Sequence, residues 1–259
     1  MLITSTLNNK KIPYHDKVIN TAIKKIAEID PGLLEFNWIL SGSFAINCLY
    51  SPKQSFNDID FYFSSQKDFE DCYDYLLSNT QNIFYATENA ITFSNLNLQL
   101  INRSFLAPEK LIYTHDFTNA SVAITNSGIY TTKETTFSWY NEQLDLRNFQ
   151  ISKDPPATDY EKVTTLIILN ARVNKYLTRY DFTLSNSFKK FYYNNLKFLK
   201  SLDSQSFAEN EPSIYNYYGQ IVNYGSSIVR AIHEIEELLD IPQKNFSWGN
   251  QETILENSF

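Results

Sequence analysis

Apolar positions along the first half of the chain change period several times. From Tyr14 to Glu28, Val18, Ala22, Ile23 and Ile26 recur at helical spacing and Pro31-Gly32 closes the run, which predicts a helix that covers a sheet. Phe36 to Leu40 reads as a short apolar strand, Gly42 permits a sharp turn, and Phe44 to Tyr50 reads as the first turns of a helix. Phe56 to Phe63 is rich in aromatic residues and predicts a second strand. Ser65 then caps a helix whose apolar face runs Phe69, Cys72, Tyr73, Leu76 and Leu77, while Asp68, Glu70, Asp71 and Asp74 form a solvated face. Strands over Ile83 to Thr87, Ala90 to Phe93 and Leu96 to Arg103 follow, with Asn95 as a turn residue. A short helix from Pro108 to Tyr113 leads to a strand from Ala120 to Thr125, and Gly128 turns a hairpin into Ile129 to Thr132; residues 126 to 157 are otherwise mixed.

The period changes once more after Lys153-Asp154-Pro155-Pro156, because two prolines continue neither a helix nor a ladder. Beyond them the pattern predicts helices over Asp159 to Tyr180, Ser185 to Leu202 and Ile214 to Leu239. The expected fold class is α/β (α+β): a mixed sheet with helices over residues 1–154, then a helical region over 155–259.

Composition narrows the function classes. At 259 residues and 43% hydrophobic content the chain is long and apolar enough for a real core. It has no run of eighteen apolar residues and no signal-like N-terminus, so nothing points to membrane or export and a cytoplasmic location is expected, the host cytoplasm if a phage encodes the chain. Cys48 and Cys72 read as small core residues, with no zinc pattern. A net charge of −7 argues against broad grip on nucleic acid but leaves room for a local basic cleft.

The chemistry concentrates between residues 38 and 63. Asp58 and Asp60 stand at i and i+2 on a predicted strand, so both carboxylates point to one face while Ile59 points to the core. Two like charges so close repel unless neutralised, and Mg²⁺ (or Mn²⁺) favours a few carboxylates plus phosphate oxygens, which makes a nucleoside triphosphate the natural third party. Ser41-Gly42-Ser43 fits the same picture: backbone amides around Gly42 at a helix N-terminus, with the Ser43 hydroxyl, suit a phosphate. Arg172, Lys175 and Arg179 fall at i, i+3 and i+7 on one helix face, either as a clamp for triphosphate or acceptor backbone or as a solubilising surface. His115 is either a proton relay or a structurally satisfied histidine, and no Walker-type glycine loop supports a kinase-like phosphotransferase.

Gly-Ser at a strand-to-helix turn followed by Asp-x-Asp on the next strand resembles the DNA polymerase beta-type nucleotidyltransferase superfamily, over roughly residues 36 to 125 and a helical second half. The Gln-Leu-Ile strand at Gln99, the short helix after it, His115-Asp116-Phe117 and the Arg172-Val173-Asn174-Lys175-Tyr176 run resemble its phage and large-virus branch. The resemblance implies transfer of a nucleoside monophosphate from a triphosphate to an acceptor hydroxyl on an RNA end, a protein side chain or a small molecule. Asp58, Asp60 and Asp116 would be catalytic metal ligands, Gly42, Ser43, Arg172, Lys175 and Arg179 would bind substrate, and the helical region would close a cleft over the site. The superfamily's third carboxylate position corresponds to Gln99, an amide that cannot fully replace a charged ligand; Asp116 is the substitute, its other reading being a turn or capping residue. That departure motivates an alternative, a catalytically degenerate member acting as a binding or interaction module.

Overall fold

Strands β1 (Trp38–Ser41), β2 (Ile59–Phe63), β3 (Phe84–Ala86), β4 (Ala90–Phe93), β5 (Leu98–Ile101), β6 (Val122–Ile124) and β7 (Ile129–Thr131) form one mixed sheet in the order β3-β4-β5-β2-β1-β6-β7. β2 and β5 run parallel, and every other neighbouring pair is antiparallel. The molecule is described by a computed structural model that covers residues 13–52, 56, 58–79, 84–87, 89–103, 105–147, 158–202, 214–215, 221–222 and 225–241. The break expected at Lys153 to Pro156 lies outside the described residues.

Helices α1 (Pro13–Ile29), α2 (Gly42–Leu49), α3 (Gln66–Asn79), α4 (Pro108–Leu111) and α5 (Lys133–Tyr140) accompany the sheet. Val18, Ala22 and Ile26 of α1 are buried, as its helical period requires. Ser65 caps α3 by accepting from the Asp68 amide at 3.1 Å, and Phe69, Cys72 and Leu76 are buried, whereas Leu77, expected on the same face, is 40% exposed. Pairing registers separate the two sheet faces. Leu40, Phe61, Leu100, Ile91 and Ile124 share one, and on this side Phe63 meets Phe69 of α3 edge-on. Ile39, Tyr62, Ile101, Ala90 and Ala123 share the other and are covered by Leu111 and Ile112 at the end of α4. On that second face the next row is polar: Ser41, Asp60, Gln99 and Thr92 lie side by side across β1, β2, β5 and β4.

Several boundaries differ from the sequence reading for identifiable reasons. Ser94–Leu96 is a tight helical turn and Asn97, not Asn95, takes the left-handed conformation (φ 50°), so β5 begins at Leu98. Thr118–Ala120 also forms a tight turn, delaying β6 to Val122. α5 was hidden within the mixed stretch; Thr132 caps it by accepting from the Thr135 amide. The helix expected from Ile214 starts only at Gly225: Ile214–Tyr215 (β10) and Ile221–Val222 (β11) pair antiparallel first, in keeping with the strand preference of Ile, Val and Tyr.

Two compact units result, one of Met1–Gln150 with Lys175–Ser185 and the other of Ile151–Asn174 with Asn186–Phe259. Helix α6 (Asp159–Tyr180) contributes residues to both. In the first unit, β8 (Gln143–Leu144) pairs in parallel with β9 (Thr183–Leu184), and Trp139 packs against Tyr180 and Phe182. In the second, the apolar positions of α6 (Val163, Leu166, Leu169, Val173), α7 (Asn186–Ser201; Phe188, Tyr192, Leu196, Leu199) and α8 (Gly225–Leu238; Ile228, Ala231, Ile235) are buried. Among the described residues no helix is long and apolar enough to cross a membrane.

Candidate active site

β1 ends at Ser41 and the chain turns immediately into α2 through Gly42, whose φ of +69° is a conformation that glycine adopts at little cost. The turn is tight for a second reason: a Cβ at Gly42 would overlap Asp60 Oδ2. The Asp60 carboxylate therefore sits directly against the backbone at the N-terminus of α2, the end whose amides favour an anion. Ser41 occupies the cap position of α2 but makes no capping hydrogen bond with its side chain. Its hydroxyl is used elsewhere: fully buried, it donates to the Val122 carbonyl at 2.6 Å and contacts His115 Nε2 at 2.8 Å. Ser43, half-buried, follows in the first turn of α2.

Asp58 lies just before β2 and Asp60 within it, both half-buried. Burial first, and then the Asp58 carboxylate, push the Asp60 carboxyl up to about 7, against the pull of Lys175 and Arg103. A carboxyl held so far above its ordinary range is a group under electrostatic stress that a cation relieves. Gln99 stands in register with Asp60, and its Nε2 donates to Thr92 Oγ1 at 2.8 Å. An amide with a neutral partner thus occupies the strand position next to Asp60.

The structure therefore brings Gly42, Ser43, Asp58 and Asp60 together, with Lys175 close enough to act on Asp60. Lys175 and Arg179 belong to the first unit and Arg172 to the second; Arg172 and Lys175 are exposed, Arg179 half-buried beside Tyr180. Asp116 is half-buried in the loop after α4, its carbonyl accepting from the Arg147 amide at 2.7 Å, and the adjacent Phe117 bridges to Leu146. Among the described residues no three His, Cys, Asp or Glu side chains form a group that could hold a metal ion. The local sequence places Ser41 in the turn without a role for its hydroxyl and gives Arg103 none. The Ser41 signal was present as the first serine of Ser-Gly-Ser, whereas nothing in the local pattern at Arg103 marks it as acting on Asp60.

The donor chemistry suits a divalent cation: two neighbouring carboxylates, one destabilised as an anion by its surroundings, beside the N-terminus of α2. A third acid placed in the strand row should strengthen that site. Gln99→Glu is expected to raise Mn²⁺ affinity by about tenfold, as an added charged ligand within a few ångströms does, and to destabilise the cation-free protein. Mn²⁺ titration followed by paramagnetic relaxation, alongside melting curves, measures both; unchanged affinity would mean that Gln99 does not face the Asp58–Asp60 site.

The fold and site define a mixed α/β protein with a carboxylate pair set at a strand-to-helix turn. Residues 2–142, more than half of the chain, match the Gabija anti-defense 2 family, and the protein belongs to that family. No curated protein matches it in sequence. Among solved structures it is similar to a tRNA-processing enzyme in its apo form I (14% identity, TM-score 0.48, 89% of this chain and 60% of that one). It is also similar to the Thermotoga maritima CCA-adding enzyme complexed with tRNA (10% identity, TM-score 0.48, 87% and 54%). A third is a tRNA nucleotidyltransferase complexed with a primer tRNA and an incoming ATP analog (14% identity, TM-score 0.47, 86% and 64%). In each case the chain spans less than two thirds of the other protein's length.

Proposed function

We propose that the protein is a metal-dependent nucleotidyltransferase that moves a nucleoside monophosphate from a nucleoside triphosphate to an acceptor hydroxyl, and that it counters the Gabija defence named in its family's description by modifying a component of it. The observation that carries this reading is the seating of Asp60 against Gly42, which makes a carboxylate pair and a phosphate-facing helix N-terminus one locus. Asp58 and Asp60 would hold Mg²⁺ or Mn²⁺, which when bound neutralises charge developing on the phosphates. The amides around Gly42 and the Ser43 hydroxyl would orient the triphosphate, with Lys175 and Arg179 of the same unit as its cationic contacts. Asp58 and Asp60 alone would hold the metal, since among the described residues Asp116 joins them in no group that could do so. The acceptor is an RNA end, a protein side chain or a small molecule.

The second reading, a catalytically degenerate relative acting as a binding module, is favoured by one observation: Gln99, not a carboxylate, stands beside Asp60. The two separate on labelling. With radiolabelled nucleoside triphosphates, Mg²⁺ or Mn²⁺ and extract from cells that carry the defence, the wild type is expected to label an acceptor. Asp58→Ala/Asp60→Ala is expected to reduce that label at least about a hundredfold, given the several kcal/mol a bound cation contributes. Absence of label with all four nucleotides, together with absence of metal-dependent nucleotide binding, would favour the module.

A further inference from the structure

We infer that His115 is a positioning residue for the Ser41-Gly42-Ser43 turn, holding the phosphate-facing end of α2 in place through one donated hydrogen bond; the inference rests on the transferase reading above. Serine carries a single hydroxyl proton, and that of Ser41 is directed at the Val122 carbonyl at 2.6 Å. The 2.8 Å contact with His115 Nε2 must then be donated by the imidazole, which fixes the ring as the tautomer protonated at Nε2. Ser41 is fully buried, so water does not stand in for either partner. Its side chain is clamped between β6 on one side and the loop after α4 on the other.

The ring is itself held. Tyr62 meets it edge-on, with centroids 6.4 Å apart and planes at 78°, and Tyr62 follows Asp60 by two residues on the same face of β2. The loop that carries His115 is anchored by the Asp116 carbonyl accepting from the Arg147 amide and by the Phe117–Leu146 bridge. His115 thus touches both strands that build the site while belonging to neither. Its Nε2 faces a buried hydroxyl, which withholds that nitrogen from substrate and makes the role one of position rather than proton transfer. Because Gly42 follows Ser41 directly and has Asp60 in its Cβ space, a shift of Ser41 displaces the first amides of α2 and the seat of Asp60 together.

The test uses the full chain as wild type, His115→Ala, His115→Gln and His115→Asn, with a fluorescent ATP analogue and Mn²⁺ for binding, labelled-nucleotide transfer for turnover, and melting curves for fold. Gln carries an amide donor near the reach of Nε2, whereas Asn ends near Nδ1. Loss of the donor in His115→Ala and His115→Asn is expected to raise KM for nucleotide about tenfold with kcat changed less than about twofold, and His115→Gln to recover to within about threefold. In ¹⁵N-resolved NMR the wild-type ring is expected to show a protected Nε2 proton that disappears in Ser41→Ala. If His115→Ala fails to fold, the contrast between Gln and Asn carries the same decision. An active wild type whose KM is unmoved in His115→Ala or His115→Asn, a Gln variant as impaired as Asn while equally folded, or a neutral ring protonated at Nδ1 would overturn the inference and leave the transferase reading standing. A wild type that neither binds nucleotide with Mn²⁺ nor transfers it overturns that reading, and this inference with it.

Discussion

The cation-free protein is expected to lose stability as pH rises from 5 to 8, the reverse of ordinary acid denaturation. Asp60 has an ordinary value of 3.8 and is pushed up to about 7 in the folded chain, so between those values the folded state holds a proton that the unfolded state has released. Stability then falls with rising pH across that window and levels off above it, by roughly 4 kcal/mol at most if the full displacement is expressed. Melting temperatures at pH 5, 6, 7 and 8 in a chelator measure the slope, and Asp60→Asn isolates it from the self-repulsion of a chain with net charge −7. The wild type should fall by several degrees over this range and the Asn variant by much less. Mn²⁺ should oppose the fall, with an apparent affinity that climbs up to about tenfold per pH unit until Asp60 is ionised. Parallel curves for wild type and Asp60→Asn would mean that the Asp60 carboxylate is better solvated than its position indicates.

Gly42→Ala is expected to have a large effect for one added methyl group. The added Cβ would overlap Asp60 Oδ2, and the φ of +69° that places it there is itself unfavourable for alanine by about 1 kcal/mol. Either the carboxylate or the turn must move, and both belong to the proposed site. Nucleotide transfer is expected to fall at least about a hundredfold, a typical consequence of roughly 1 Å misplacement at a reacting centre, while melting temperature drops only modestly. Gly128→Ala is the matched control, since its Cβ would come no nearer than 3.5 Å to the Tyr130 ring, an ordinary contact. Equal activity in the two variants would remove Asp60 from the site.

The parts legible in the sequence were those with a strong local period. α1 and α6 bury a continuous apolar stripe, and the bounds expected for α6, Asp159 to Tyr180, are those observed. The Asp58–Asp60 spacing and the Gly42 turn were equally visible, because strand alternation and a glycine hinge are properties of a few consecutive residues. α5 was not, because Phe137 and Tyr140 are exposed at 65% and 86% and leave no apolar face to read; only the Thr132 cap marks it. The strands at Ile214 and Ile221 are two residues each, too short for any period to distinguish them from the start of a helix. The clamp on Ser41 was beyond local pattern altogether, since its partners His115 and Val122 lie 74 and 81 positions away. The elevated proton affinity of Asp60 was likewise invisible, being a property of what surrounds the group.

The return of Lys175–Ser185 to the sheet-bearing unit has a consequence for anyone who trims this chain. Thr183–Leu184 supplies the pairing edge for Gln143–Leu144, Tyr180 donates its hydroxyl to Asn47 Oδ1 on α2, and Tyr180 with Phe182 walls in Trp139. An excised N-terminal fragment stopping near residue 150 retains the whole of the family-matching stretch yet discards those eleven residues, Lys175 among them. It would carry an indole left with Tyr50 as its stacking partner but stripped of Tyr180 and Phe182, an unmated strand and an α2 without its Tyr180 bond, because the sheet-bearing unit is discontinuous in sequence.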